Sequence, residues 1–249
     1  MFRSLRRLIF AGALLAGVTA HAQLGHEIAA RHAARAGDKL AALTALRAEG
    51  KTFINGEVVP FTLIARRPNQ LRVESFTPQR RVIQAYDGTN PPWISHSETN
   101  AGRAQAMTDA EARDFIGNAD FDGPLVDFAR KGFSVDYAGE DKIDGRRAFK
   151  LLLMNQSDNI FFLWVDAENY EVIKRTVYRV FDEKRVTVDT FFKDFRPVAG
   201  TLQPFRVETN ANGRQLYVMI IDRMEANPAD LGDDIFRRPD ADAGVKPLE

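Results

Sequence analysis

The chain contains no cysteine. That absence excludes disulfide scaffolds, thiolate metal sites and cysteine nucleophiles together. Charge of one sign is also missing, since 34 Lys and Arg face 34 Asp and Glu. There is no polybasic block to meet a nucleic-acid backbone, so no nucleic-acid partner is expected. The apolar run at the N-terminus, LIFAGALLAGV from Leu8 to Val18, falls short of the roughly 20 residues that span a bilayer. Neither a GxGxxG nor a GxxxxGK phosphate loop occurs, and there is no G-x-S-x-G elbow. Histidine is scarce, with four in the chain, which limits acid–base chemistry near neutral pH.

What is present begins with a secretory pattern. Arg3, Arg6 and Arg7 precede the apolar run and Ala20-His21-Ala22 follows it. A positive head, a short apolar stretch and a small-x-small site read as a signal peptide over residues 1–22. Three of the 34 basic residues leave with it, so 31 remain against 34 acidic ones, a formal charge of −3. The residue at the cleavage site is Gln23, not the cysteine to which a bacterial lipoprotein anchor is attached. An exported, soluble, unanchored monomer is expected, which in a two-membrane bacterium means the periplasm. Residues 23–249 show no linker and no repeat, and fit a single domain.

Periodicity predicts a helix from Leu24 to Glu49, with Ile28, His32, Ala36, Leu40, Leu43 and Leu46 on one stripe. Gly37-Asp38 bends or splits it and Gly50 ends it. VVPFTLIARR, QLRVESF and RVIQAY then read as strands, the third closed by Asp87-Gly88. Thr108-Asp-Ala-Glu111 is a capping box, and Pro124 suits the start of a further helix reaching Lys131. From Phe133 a strand meander runs to the C-terminal region, with an Asp144-Gly145 turn. Strands at this spacing predict one large antiparallel sheet, curved or partly closed, in a mainly β, α+β chain. IFFLWV and LYVMII are apolar on both sides, so both of their faces need cover. A packed core and an enclosed apolar cavity both satisfy that requirement, and periodicity alone favours the core.

Candidate chemistry is sparse. His21 leaves with the signal, His26 and His32 fall on the first helix, and His96 sits in the loop YDGTNPPWISHS. A serine–histidine–acid site would need Ser95 or Ser97, His96 and Asp87, neighbours on one loop that do not easily adopt the required geometry. NADFDGPLVDFA places Asn118, Asp120, Asp122 and Gly123 as a calcium loop would, but Ala129 stands where the bidentate glutamate belongs. No metal or cofactor is expected, and no catalysis.

Taken in order, the motifs resemble a known family. ARRPNQLRVES (residues 65–75) followed by VIQAYDGTNPPWISHS is similar to the paired signature of the LolA-like periplasmic lipoprotein carriers. GEDKIDGRRAFKLLL with LWVDAENYEVIKRTVY resembles the family's hairpins, TFFKDFRPVAGTLQPFRVET its closing strand pair, and HAARAGDKLAALTALRAEGK its opening helix. Arg72-Val73 and Asn90-Pro91-Pro92 depart from the usual pattern. The resemblance implies an incomplete, half-open antiparallel β-barrel with helices as a lid over a hydrophobic cavity for the acyl chains of a lipoprotein or lipid. Leu63, Leu71, Val73, Trp93, Phe162, Trp164, Phe192, Val218 and Ile220 are the expected lining. Arg67, in the Arg-Pro-Asn motif, would bond to lid carbonyls and hold the empty cavity shut. Implied partners are an inner-membrane donor complex and an outer-membrane acceptor. A sensor of the same fold, recognising lipoproteins or a protein partner, is the alternative.

Overall fold

The computed structural model describes residues 21–98, 102–155, 160–181, 184–232 and 234–240. All but the last two residues of the expected signal segment lie outside these; His21 and Ala22 are helical. Helix α1 includes residues 21–34, and α2 (Asp38–Ala42) follows a left-handed Gly37 with φ of 52°. The expected helix to Glu49 stops there. Ala45–Ile54 is instead strand β1, hydrogen-bonded on both sides. Pairing with two neighbours outweighs the helical preference of Leu-Arg-Ala-Glu, a tertiary override of local propensity. Gly50 is likewise no helix stop. It sits at a register shift, where a Cβ would collide with the carbonyl oxygen of Ile220.

The remaining strands are β2 (Glu57–Arg66), β3 (Gln70–Phe76), β4 (Arg81–Tyr86), β5 (Trp93–His96) and β6 (Gln105–Ala106), then β7 (Phe133–Ile143), β8 (Arg146–Asn155) and β9 (Ile160–Asp166). They are completed by β10 (Val172–Phe181), β11 (Lys184–Val198), β12 (Thr201–Ala211) and β13 (Arg214–Ala226). All 13 form one antiparallel sheet in the order β6-β5-β4-β3-β2-β1-β13-β12-β11-β10-β9-β8-β7. The end strands β6 and β7 do not pair, so the sheet is not closed into a barrel. Helix α3 (Asp109–Ala119) starts on the expected capping box, the Glu111 carboxylate accepting from the Thr108 amide at 2.9 Å. No helix forms after Pro124. Residues 124–132 are turns, and Asp127 has a φ of 52°, outside helical space.

Contacts divide the chain into two compact units. The first comprises residues 21–35, 124–192 and 210–214. Its core sets Ile28 and Ala29 of α1 against Val135, Leu151, Leu153, Leu163 and Val165, one face of β7–β9. Burial of His32 explains its place on the helical stripe: Nδ1–H donates to the Tyr170 carbonyl at 2.8 Å. Burial, reinforced by the charge of Arg35, lowers its pKa to about 4. The second unit comprises residues 36–123, 193–209 and 215–240. Two apolar clusters share a face of its strands, one beneath α3 and one around Ala48, Phe61, Phe205 and Ile221.

Candidate functional site

Strand register settles which apolar residues meet. In the second unit Ala48, Leu63, Val73, Gln84 and Ile94 lie opposite one another across β1 to β5, and Ala65, Leu71 and Tyr86 form the next row. Side chains directly opposite share a face. Helix α3 lays Phe115 and Ala119 onto it, with Met107 beside them, so Leu71 keeps only 5% of its surface exposed. Burial raises the pKa of Tyr86 in this apolar setting. Leu63, Leu71 and Val73 are therefore brought together.

Trp93 is on the reverse face. It pairs with Ala85, packs with Ile83, and its Nε1–H donates to the carbonyl of Phe236 at 3.0 Å. Arg72, 5.8 Å from the Trp93 ring, pairs with Glu74 at 2.6 Å and donates to the Ile235 carbonyl. Val218 and Ile220 oppose Phe53 and Lys51, also on the reverse face, while Met219 and Ile221 occupy the helix-covered one. In the first unit Phe162 and Trp164 point away from the core beneath α1, whereas Phe192 alternates with Phe191 onto the side of Thr190 and Val188. A side-chain period of two makes each assignment depend on a single residue of register.

Arg67 lies immediately after β2, its amide bonded to the Thr44 carbonyl at 2.9 Å. Its Nε–H donates to the Leu43 carbonyl at 2.8 Å and an Nη2–H to the Leu40 carbonyl at 2.6 Å. Nη1 pairs with the Asp122 carboxylate just beyond α3, and the guanidinium lies 5.1 Å from the Phe121 ring centroid. One side chain thus joins the C-terminal carbonyls of α2 to the segment following α3. Arginine suits the task because its donors form a fixed fork and unsatisfied carbonyls at a helix end attract a cation. Asn227 completes the junction: its Nδ2–H donates to the Ala42 carbonyl at 3.0 Å and its Oδ1 accepts from Thr44 N at 2.8 Å. Side-chain exposures of 28% for Arg67 and 16% for Asp122 set this pair apart from a solvated surface bridge. Sequence reasoning meets Asp122 only in the calcium-loop comparison and misses it, with Phe121 and Asn227, as part of this junction. Asp122 is 55 positions from Arg67 and Asn227 is 183 from Thr44, distances over which no local pattern speaks.

YDGTNPPWISHS is a turn that delivers Trp93. Although burial pushes the Asp87 pKa up, hydrogen bonds from Asn90 and Thr89 hold it below the usual carboxylate range. His96, expected in a loop, closes β5 opposite Val82. Ser95 and His96 alternate across the strand, and Ser97 Oγ accepts from Arg81 N at 2.9 Å, so these groups do not converge. Among the described residues there is no cluster of three or more metal-ligating side chains, and no helix is long and apolar enough to cross a membrane.

An open 13-stranded antiparallel sheet with few helices defines a LolA-like fold, and solved structures share it. A DUF1329 family protein from Desulfovibrio piger superposes with a TM-score of 0.62 at 12% identity, covering 87% of this chain and 97% of that one. A putative outer membrane lipoprotein-sorting protein domain from Vibrio parahaemolyticus gives 0.59 at 11% identity, covering 86% and 96%. A LolA superfamily protein from Nitrosomonas europaea gives 0.54 at 14% identity, covering 78% and 90%. No curated protein matches the chain in sequence. The chain belongs to the DUF2092 family, described as predicted periplasmic protein, whose sequence model matches residues 57–194. Its compartment is the periplasm.

Proposed function

We propose that this protein is a non-catalytic periplasmic carrier that binds the acyl chains of lipoproteins or lipids and moves them towards the outer membrane. The observation that carries the reading is Arg67, which ties α2 and the end of α3 together where α3 covers the apolar face of Leu63, Leu71 and Val73. The resting state is closed. Phe115 and Ala119 occupy the face that an acyl chain would take, and opening exchanges their contacts for those of the chain. Burying an acyl chain gains about 0.8 kcal/mol per methylene, so a long chain yields roughly 10 kcal/mol. Hydrogen bonds from a charged donor contribute about 1.5–3 kcal/mol each. Arg67 therefore biases the closed state without locking it. The carrier acts as a monomer, taking cargo from an inner-membrane donor and handing it to an outer-membrane acceptor. Similarity to a lipoprotein-sorting domain and a LolA superfamily protein supports the reading through the shared fold.

Native mass spectrometry of the protein purified from its own periplasm, followed by organic extraction, tests it. An adduct that releases diacyl or triacyl material is expected. A clean apo mass, unchanged after incubation with lipoprotein, would overturn the carrier and favour a sensor working through protein contacts.

A further inference from the structure

The first unit carries a second surface, on the face of β8–β11 turned away from α1. Across it Lys150, Trp164, Lys174 and Phe191 lie opposite one another in a single row, cation and aromatic in alternation. The Lys150 ammonium is 5.2 Å from the Trp164 ring centroid and 4.6 Å from that of Phe162. Lys174 lies 4.5 Å from Trp164 and 5.1 Å from Phe191, and Arg185 lies 4.3 Å from Tyr178. Two carboxylates of this face are committed: Asp141 accepts the Trp164 N–H at 2.9 Å, and Asp189 holds Lys174 at 3.0 Å and Thr176. Among the described residues, Lys150 and Arg185 have ring contacts but no carboxylate partner.

Towards the ends of the same strands the face turns apolar. Met154, Ile160 and Val180 are 42%, 47% and 72% exposed, all on this side. An antiparallel sheet face turned to water should carry polar side chains there. Along β8–β10 the order is instead exposed Met154, Ile160 and Val180, then Leu152, Phe162 and Tyr178, then the row of Lys150, Trp164 and Lys174, while Arg185 stands opposite Val180 at the aliphatic end. Same-face residues recur about every 6.8 Å, so the lysine row stands roughly 13 Å behind Met154 and Ile160. Exposed aliphatic groups, aromatic rings and cations gathered on one face are the side chains that a bilayer surface accepts at its acyl boundary, headgroups and phosphates.

We propose that this face docks reversibly on the surface of an anionic phospholipid bilayer. Charge complementarity selects that occupant, because phosphate supplies the counter-charge that Lys150 and Arg185 lack. The proposal concerns the first unit alone and is independent of acyl binding beneath α3, so vesicle binding can succeed or fail whatever the extraction experiment returns.

The test is co-sedimentation of the purified full-length protein with vesicles of phosphatidylethanolamine and phosphatidylglycerol, beside vesicles of neutral phosphatidylcholine. Wild type is expected to partition onto the anionic vesicles more strongly than onto the neutral ones, and less so in high salt. Lys150→Gln and Arg185→Gln should each lower the anionic partition coefficient about five-fold. The double variant Ile160→Asp, Val180→Asp alters exposed positions and should lower it by about ten-fold or more on both vesicle types. Equal wild-type partition onto the two vesicle types, no partition at all, or wild-type binding by either set of variants would overturn the proposal.

Discussion

Replacing Arg67 by leucine removes every polar contact that this side chain makes at the α2–α3 junction while keeping an apolar stem. Two charge-assisted hydrogen bonds to the Leu40 and Leu43 carbonyls disappear, and Asp122 loses its cation. The second oxygen of Asp122, Oδ1, is already buried without a hydrogen-bond partner, so the carboxylate is left poorly compensated. Breaking a well-buried pair costs about 3–5 kcal/mol. Because Arg67 is 28% exposed, water replaces part of what is lost, and about 3 kcal/mol is the expected destabilisation in urea. Arg67→Lys, with a point charge in place of the fork, should recover about half. The latch adds a second expectation of opposite sign. If those contacts favour the closed state, apparent affinity for an acyl probe rises as stability falls, by up to about a hundred-fold for 3 kcal/mol. A fluorescent fatty-acid titration beside the urea curves separates the possibilities. A loss below about 0.5 kcal/mol would refute the energetics of the junction. A full loss with unchanged probe affinity would refute the latch.

Other expectations concern the rest of the fold. His32 has its pKa lowered to about 4 in the folded protein, below its unfolded value near 6.5, so its contribution is complete above pH 6.5 and is lost as pH falls towards 4. Stability in urea should drop by about 2 kcal/mol between pH 7.5 and 5, and His32→Gln should flatten that slope; an equally steep slope in the variant counts against it. Gly50→Ala drives a Cβ into the Ile220 carbonyl and should cost more than about 2 kcal/mol. Gly56→Ala meets only a left-handed φ of 80° in open space and should cost about 1 kcal/mol, so similar costs at the two sites would contradict the close approach. Trp93→Phe strands the Phe236 carbonyl and should cost about 1–2 kcal/mol while leaving acyl-probe affinity unchanged, because Trp93 is on the reverse face. A weakened probe titration would return Trp93 to the acyl site.

Local chemistry made several elements readable in advance. The Thr108–Glu111 capping box and the Asp87 and Asp144 turns needed only neighbouring residues. Phe191, the odd aromatic on the polar side of β11, makes sense once Lys174 is placed opposite it. The segment from Ala45 to Glu49 looked helical because its competing partners, β2 and β13, are remote in sequence. Residues 124–131 looked helical because proline at a helix start is a common signal, and nothing local announces the left-handed Asp127.

By itself the sequence determined that this is a mainly β chain with Arg67 beside a strand end. Those properties follow from composition, period and short motifs, which neighbouring residues settle among themselves. Tertiary structure alone decided that Leu63, Leu71 and Val73 share a face while Trp93, Val218 and Ile220 lie behind it, and that Asp122 and Asn227 join Arg67 at the junction. Face and partner depend on register between strands distant in sequence, and one residue of slip reverses every side chain.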